Sequence, residues 1–149
     1  DGTNLDDLGD YRPGIQALKE NGVRSPLVET KFVKHAVRDI AKSVGLSVYD
    51  RPSNSCLASR IPWGQRVTAE RLTRIELGET LVKQLTNLKQ VRVRDIHGCA
   101  KIEVDKERIS IFDKNITNQL IKKLKMIGFT SVEIDQDGYV PGKINVIPN

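Results

Sequence analysis

Val91-Arg92-Val93-Arg94-Asp95-Ile96-His97-Gly98-Cys99-Ala100-Lys101-Ile102-Glu103-Val104 contains two runs in which apolar and charged residues alternate. Period-two alternation places successive side chains on opposite faces of a strand, so Val91-Arg92-Val93-Arg94 and Ala100-Lys101-Ile102-Glu103-Val104 each predict a half-exposed strand. The segment from Asp95 to Cys99 between them reads as a hairpin connection. Val91 and Val93 then point into a core, while Arg92 and Arg94 share the other face, which Lys101 and Glu103 join if the strands pair. Two arginines at adjacent same-face positions suit bidentate recognition of phosphate. A solvated sheet face with arginines paired to acids such as Glu103 would give the same spacing. His97 has no companion at metal-ligand spacing, so it reads as a turn residue and no metal site is expected.

Helical periods flank the hairpin. Thr68 is an N-cap for a helix carrying Leu72, Ile75, Leu81, Val82 and Leu85 to about Leu88. Ile116, Leu120, Ile121, Leu124 and Ile127 predict a second helix from about Lys114 to Ile127, closed by Gly128, and Ser131-Val132-Glu133-Ile134-Asp135 reads as a third strand. The order α-β-β-α-β describes a small α+β unit with helices on one face of a sheet. Further upstream, Leu5 to Ala17 reads as a polar loop leading into a short helix that ends near Gly22, and Arg24-Ser25-Pro26-Leu27 as an extended or turn segment. Phe32, Val33, Ala36, Val37, Ile40, Ala41 and Val44 recur at helical spacing over Thr30 to Val44, with Gly45 to end the helix.

At 149 residues, 38% hydrophobic and 29% charged, the chain can bury a core as one domain or as two small units. No stretch approaches the roughly 20 apolar residues of a membrane span, and the acidic start Asp1-Gly2-Thr3-Asn4 is not a signal peptide. The lack of an initiator methionine suggests a fragment or a processed chain. Two cysteines form neither a disulfide framework nor a C-x-x-C pair, which fits a reducing cytoplasm. A net charge of +5 admits a phosphorylated partner. Because the basic residues are mixed with 19 acids and aromatics make up only 5%, sequence-specific nucleic-acid binding is not favoured.

Pro52-Ser53-Asn54-Ser55-Cys56-Leu57-Ala58-Ser59-Arg60-Ile61-Pro62-Trp63-Gly64 sets a cysteine among turn formers, with an arginine four positions on. The thiolate is the reactive form of cysteine, and a guanidinium such as Arg60 nearby favours it. Arg60 could equally serve a substrate phosphate. The competing reading makes Cys56 a small apolar residue packed beneath the loop.

These segments together resemble the LarE family of ATP-dependent sacrificial sulfur transferases. The resemblance runs through Asp1-Gly2-Thr3-Asn4 with Asp6-Asp7, Asp10-Tyr11-Arg12-Pro13-Gly14, the Pro52 to Gly64 run, Val91-Arg92-Val93-Arg94 and Ile102-Glu103. It implies an α/β protein of the PP-loop ATP pyrophosphatase superfamily. Residues 1–50 would be the remainder of a Rossmann-type PP-loop ATP-binding domain (adenine nucleotide alpha hydrolase-like), 51–66 a cysteine-bearing active-site loop, and 67–149 a C-terminal α+β domain for substrate binding and oligomerisation. The implied activity adenylates a pyridinium dicarboxylate mononucleotide using ATP and Mg2+. A protein cysteine then gives up its sulfur, in biosynthesis of the nickel-pincer nucleotide cofactor of lactate racemase. Acyl adenylation suits this chemistry because a carboxylate is a poor electrophile.

Carried over by residue, the resemblance makes Cys56 the sulfur donor, although one form of the family pattern sets its cysteine a residue earlier, at Ser55 here. Glu79 is implied as a catalytic acid on a helix, and Ser59, Arg60, Arg92, Arg94 and Glu103 as the phosphate and substrate pocket. Asp10, Tyr11 and Arg12 match a family loop without an evident role. The family's glycine-serine phosphate loop is absent from these 149 residues, so the isolated chain is expected to be inactive. Two cysteines give little support to the cluster-bearing variant of the family. A tRNA-thiolating PP-loop relative and a non-catalytic oligomerisation module are the alternatives.

Overall fold

A computed structural model of the chain describes residues 1–9, 14–52 and 54–140. Asp10, Tyr11 and Arg12, singled out above, lie outside the described residues. The chain divides into two compact units, Asp1–Arg51 and Pro52–Asn149.

In the first unit a 3-10 turn at Leu5–Gly9 precedes three helices: α1 (Gly14–Glu20), α2 (Pro26–Glu29) and α3 (Lys34–Ser43). Where the sequence predicts an extended or turn segment, Pro26 opens the single-turn α2. Proline suits that position because the first turn of a helix has no partner for its N–H. Helix α3 starts at Lys34 rather than Thr30. Phe32 uses its N–H to close α2 onto the Leu27 carbonyl at 2.7 Å, and Asp6 Oδ2 accepts the Lys34 N–H at 2.7 Å, satisfying a first-turn donor. Among the described residues of this unit only Asn4 is buried, and Ile40, Val44 and Leu46 on and after α3 are exposed.

The second unit contains a 3-10 turn at Leu57–Arg60, then α4 (Ala69–Thr86), β1 (Arg92–Ile96), β2 (Cys99–Glu103), a 3-10 turn at Lys106–Ile111, α5 (Lys114–Met126) and β3 (Ser131–Ile134). The α-β-β-α-β order expected from the sequence is present. The three-stranded sheet has the order β1-β2-β3, with β1 antiparallel and β3 parallel to β2. Helix α5 makes the crossover that a parallel pair requires. Thr68 caps α4, its side chain accepting the Arg71 N–H at 3.3 Å. His97 and Gly98 join β1 to β2 with positive φ at both positions, 49° and 86°, as a two-residue type I′ hairpin requires.

Val93, Ala100 and Ile102 form the sheet side of the core, against Ile75 and Val82 of α4, Leu120 and Leu124 of α5, and Phe129. Gly78 permits the close approach of these layers. A Cβ there would stand 3.3 Å from both the Val93 Cγ1 and the Leu124 Cδ2.

The expectation that β1 is half-exposed is corrected: Arg92, Val93, Arg94 and Asp95 are all buried. The strand is covered because the loop before α4 lies against it. The Ser59 carbonyl accepts from Arg94, and the Tyr139 ring lies against the Arg92 guanidinium at 5.3 Å. The register is as expected, Arg92 facing Glu103 and Arg94 facing Lys101. Among the described residues no helix is long and apolar enough to cross a membrane.

Candidate functional site

Cys56 is exposed and stands at the entry of the Leu57–Arg60 turn. Its carbonyl accepts from the Ser59 N–H at 2.9 Å and the Ser59 Oγ at 2.7 Å, and Ser59 Oγ lies 2.9 Å from Ser55 Oγ. These short-range bonds fold the segment back on itself, which is how small hydroxyl residues shape a turn.

Arg60 binds the loop from within. Its side chain is buried, and every nitrogen of the guanidinium donates. Nη1 reaches the Ser55 carbonyl (2.9 Å), Ser55 Oγ (2.8 Å), the Cys56 carbonyl (3.2 Å) and Ser59 Oγ (2.9 Å). Nη2 reaches Asn54 Oδ1 at 2.7 Å, and Nε donates to Glu79 Oε1 at 2.9 Å. Arg60 therefore meets Cys56 at its backbone carbonyl.

Glu79 extends from α4 to the outer edge of the sheet. In a two-residue hairpin the Val93 N–H points away from β2, and it donates to Glu79 Oε1 at 3.3 Å. Glu79 Oε2 lies 4.0 Å from Lys83 Nζ. One carboxylate thus ties the cysteine loop, through Arg60, to the strand bearing Arg92 and Arg94.

A second tie runs through Arg94. Its Nη1 donates to the Ser59 carbonyl at 3.0 Å and its Nε to Glu103 Oε1 at 2.6 Å, a pair buried at both ends. Glu103 Oε2 is buried with no hydrogen-bond partner among the described residues. Burial, and then the charge of Arg60, lower the pKa of Arg92 from its ordinary value, against Glu79 and Tyr139, which raise it. Arg60, Arg92 and Arg94 stand with Glu79 and Glu103 in a largely buried layer.

Hydrogen bonds thus join the Cys56 carbonyl, Ser59, Arg60, Glu79, Arg94 and Glu103, and Arg92 stands opposite Glu103 in the strand register. Lys101 turns instead to Glu133 (3.5 Å) and Asp135 (3.4 Å). The sequence reading missed Asn54 and Ser55 as ligands of Arg60, and Tyr139 as the cover of Arg92. A buried arginine spending its donors on nearby loop carbonyls leaves no spacing signature.

It also missed a cluster at the other end of β1. Asp95 is fully buried and accepts from Arg71 Nε (3.1 Å), Arg74 Nε (2.7 Å), Arg71 Nη2 (3.1 Å) and the Gly98 N–H (3.0 Å). Burial pushes its carboxyl up, but the hydrogen bonds from Arg71 and Arg74 outweigh this and hold it below the ordinary value. Arg71 and Arg74 stand three apart on α4, a spacing that places both on one face and could have been read. Among the described residues no group of three or more His, Cys, Asp or Glu side chains gathers as a metal site.

No protein-family model matches the chain. It is 43% identical over 146 residues to an uncharacterized protein of Synechocystis, covering 97% of this chain and 54% of that protein. It is 32% identical over 139 residues to an uncharacterized protein of Methanocaldococcus jannaschii, covering 93% of this chain and 53% of that protein. A similarity of 32% over 145 residues links it to the pyridinium-3,5-bisthiocarboxylic acid mononucleotide synthase of Lactiplantibacillus plantarum, across 97% of this chain and 52% of the enzyme. The chain spans about half the length of the curated relatives it matches, and nearly all of it is similar to one stretch of that synthase.

Proposed function

We propose that these residues form the sulfur-donor and anion-binding half of a LarE-type sulfur transferase acting on a pyridinium dicarboxylate mononucleotide. The observation that carries this is the direct bond from Arg94 to the Ser59 carbonyl, which joins the loop of an exposed cysteine to a strand of two arginines. Guanidinium groups such as those of Arg92 and Arg94 suit the recognition of a phosphate or carboxylate.

In the proposed reaction the Cys56 thiolate attacks an acyl-adenylate carbon and AMP leaves, giving a thioester. A base then takes the Cys56 Cα proton. The Cβ–S bond breaks with its electron pair going to sulfur, which leaves a thiocarboxylate on the product and dehydroalanine in the chain. No oxidant is consumed, and each chain reacts once. Activation by ATP and Mg2+ is assigned to residues beyond these 149, because no glycine-rich phosphate cradle occurs among them. Residues 1–50 are proposed to belong to that ATP-binding domain. Val44, 65% exposed on a unit that buries no apolar side chain among its described residues, is consistent with a surface covered in a larger domain. Assembly into a homo-oligomer belongs to the same proposal.

Product stoichiometry in the intact protein tests this. Thiolated product should stop at one equivalent of chain and be abolished in Cys56→Ala. Turnover well beyond one equivalent, or unchanged yield from Cys56→Ala, would assign the sulfur to another source.

A further inference from the structure

We infer that Arg60 and Glu79 are positioning residues that hold the cysteine loop against β1, rather than groups that touch substrate. For its catalytic consequence this rests on the sulfur-transfer reading above; its structural content does not. The guanidinium of Arg60 is sealed from solvent, and its nitrogens are committed to Asn54, Ser55, Cys56, Ser59 and Glu79. Nothing in that arrangement leaves a face of Arg60 open to a phosphate. Glu79 is likewise buried, with Oε1 shared between Arg60 and the Val93 N–H.

The geometry gives the pair a mechanical role. Without Arg60, the carbonyls of Ser55 and Cys56 and the hydroxyls of Ser55 and Ser59 lose their common donor, and the loop is left with the Arg94 bond to the Ser59 carbonyl and local turn bonds such as Ser59 N–H to Cys56 O and Ile61 N–H to Ala58 O. An exposed thiol on such a loop would sample many positions, and a nucleophile displaced by about 1 Å loses rate steeply. The planar fork of arginine suits this task because it satisfies several acceptors at fixed angles, whereas a lysine presents a compact point charge.

Hydrogen exchange and single-turnover chemistry on the intact protein test the inference. Replacing both members by Arg60→Met with Glu79→Met removes the pair without stranding a buried charge, an exchange that folded proteins commonly tolerate. The Ser59 and Ile61 amides should then exchange about tenfold or more faster, while the β2–β3 ladder and α5 keep their protection. A folded double variant with unchanged exchange at Ser59 and Ile61 would overturn the inference. Glu79→Gln supplies the second arm, since glutamine retains an acceptor for Arg60 and Val93. A positioning role predicts that sulfur loss from Cys56 stays within about tenfold of the parent, against the roughly 10²–10⁴-fold loss expected for a group that moves a proton. Substrate affinity of Arg60→Lys should remain near the parent's while the rate of sulfur loss falls; an affinity loss without a rate loss would place Arg60 on the substrate. If the parent protein loses no sulfur from Cys56, the functional reading fails, and the exchange data still decide whether the pair holds the loop.

Discussion

Asp95→Asn should unseat β1 from α4. The carboxylate is fully buried, and its oxygens receive both Arg71 and Arg74 as well as the Gly98 N–H of the hairpin. Removing one partner of a buried ion pair costs about 3–5 kcal/mol, because the other charge is left uncompensated. Two features reduce that here: Arg71 and Arg74 keep 14% and 16% side-chain exposure and can regain water, and asparagine still offers an oxygen to Gly98. The expected loss is therefore about 2–4 kcal/mol, which for a unit of this size lowers the melting midpoint by roughly 10–25 °C. Urea denaturation followed by circular dichroism at neutral pH measures it directly.

The pH dependence fixes the cause. The folded Asp95 pKa lies below its unfolded value, so its stabilisation is complete above the unfolded pKa of about 3.9 and is lost as pH falls through the folded value. Asparagine does not titrate, so the gap between parent and variant should close in acid. A gap under about 1 kcal/mol at pH 7, or one that persists unchanged in acid, would refute an ionic role for Asp95.

Ile102→Ala, in the fully buried centre of β2, should cost about 2–5 kcal/mol by urea melts without altering the product stoichiometry of molecules that remain folded. Gly98→Val should destabilise by at least about 1 kcal/mol, because φ is +86° and a Cβ would stand 3.2 Å from Thr130 Oγ1; equal melting midpoints would count against the hairpin geometry. If the proposed mononucleotide site includes Arg92, Arg92→Met should weaken its binding by about tenfold or more with fluorescence or calorimetric detection; unchanged affinity would remove Arg92 from that site.

The small α+β unit was legible because its elements carry clean periods. Val91 to Val104 alternates, Leu120 and Leu124 repeat at helical spacing, and Gly128 marks the end of its helix with a φ of +102°. Exposure was less legible. Arg92 and Arg94 have the spacing of a solvated face, but Ser59 and Tyr139 arrive from distant sequence to cover them. Pattern within a strand reports which residues share a face and says nothing of what lies across it. The same limit hid the environment of Arg60, which has the spacing of a free cation beside a thiol and is a buried ligand of its own loop. In the first unit the period over Thr30 to Val44 overran the helix at its start, because Phe32 is held by α2 through a backbone bond that side-chain periodicity does not record.

Cys56 stands exposed on a loop bonded to the arginine strand, and whether its sulfur departs is the central question. Peptide-resolved mass spectrometry of the intact protein, before and after reaction with ATP, Mg2+ and a pyridinium dicarboxylate mononucleotide, reads that event at the residue itself. Loss of the elements of hydrogen sulfide at Cys56, with Cys99 unchanged, is the predicted result. Thiolated product formed beside an intact Cys56 would contradict it.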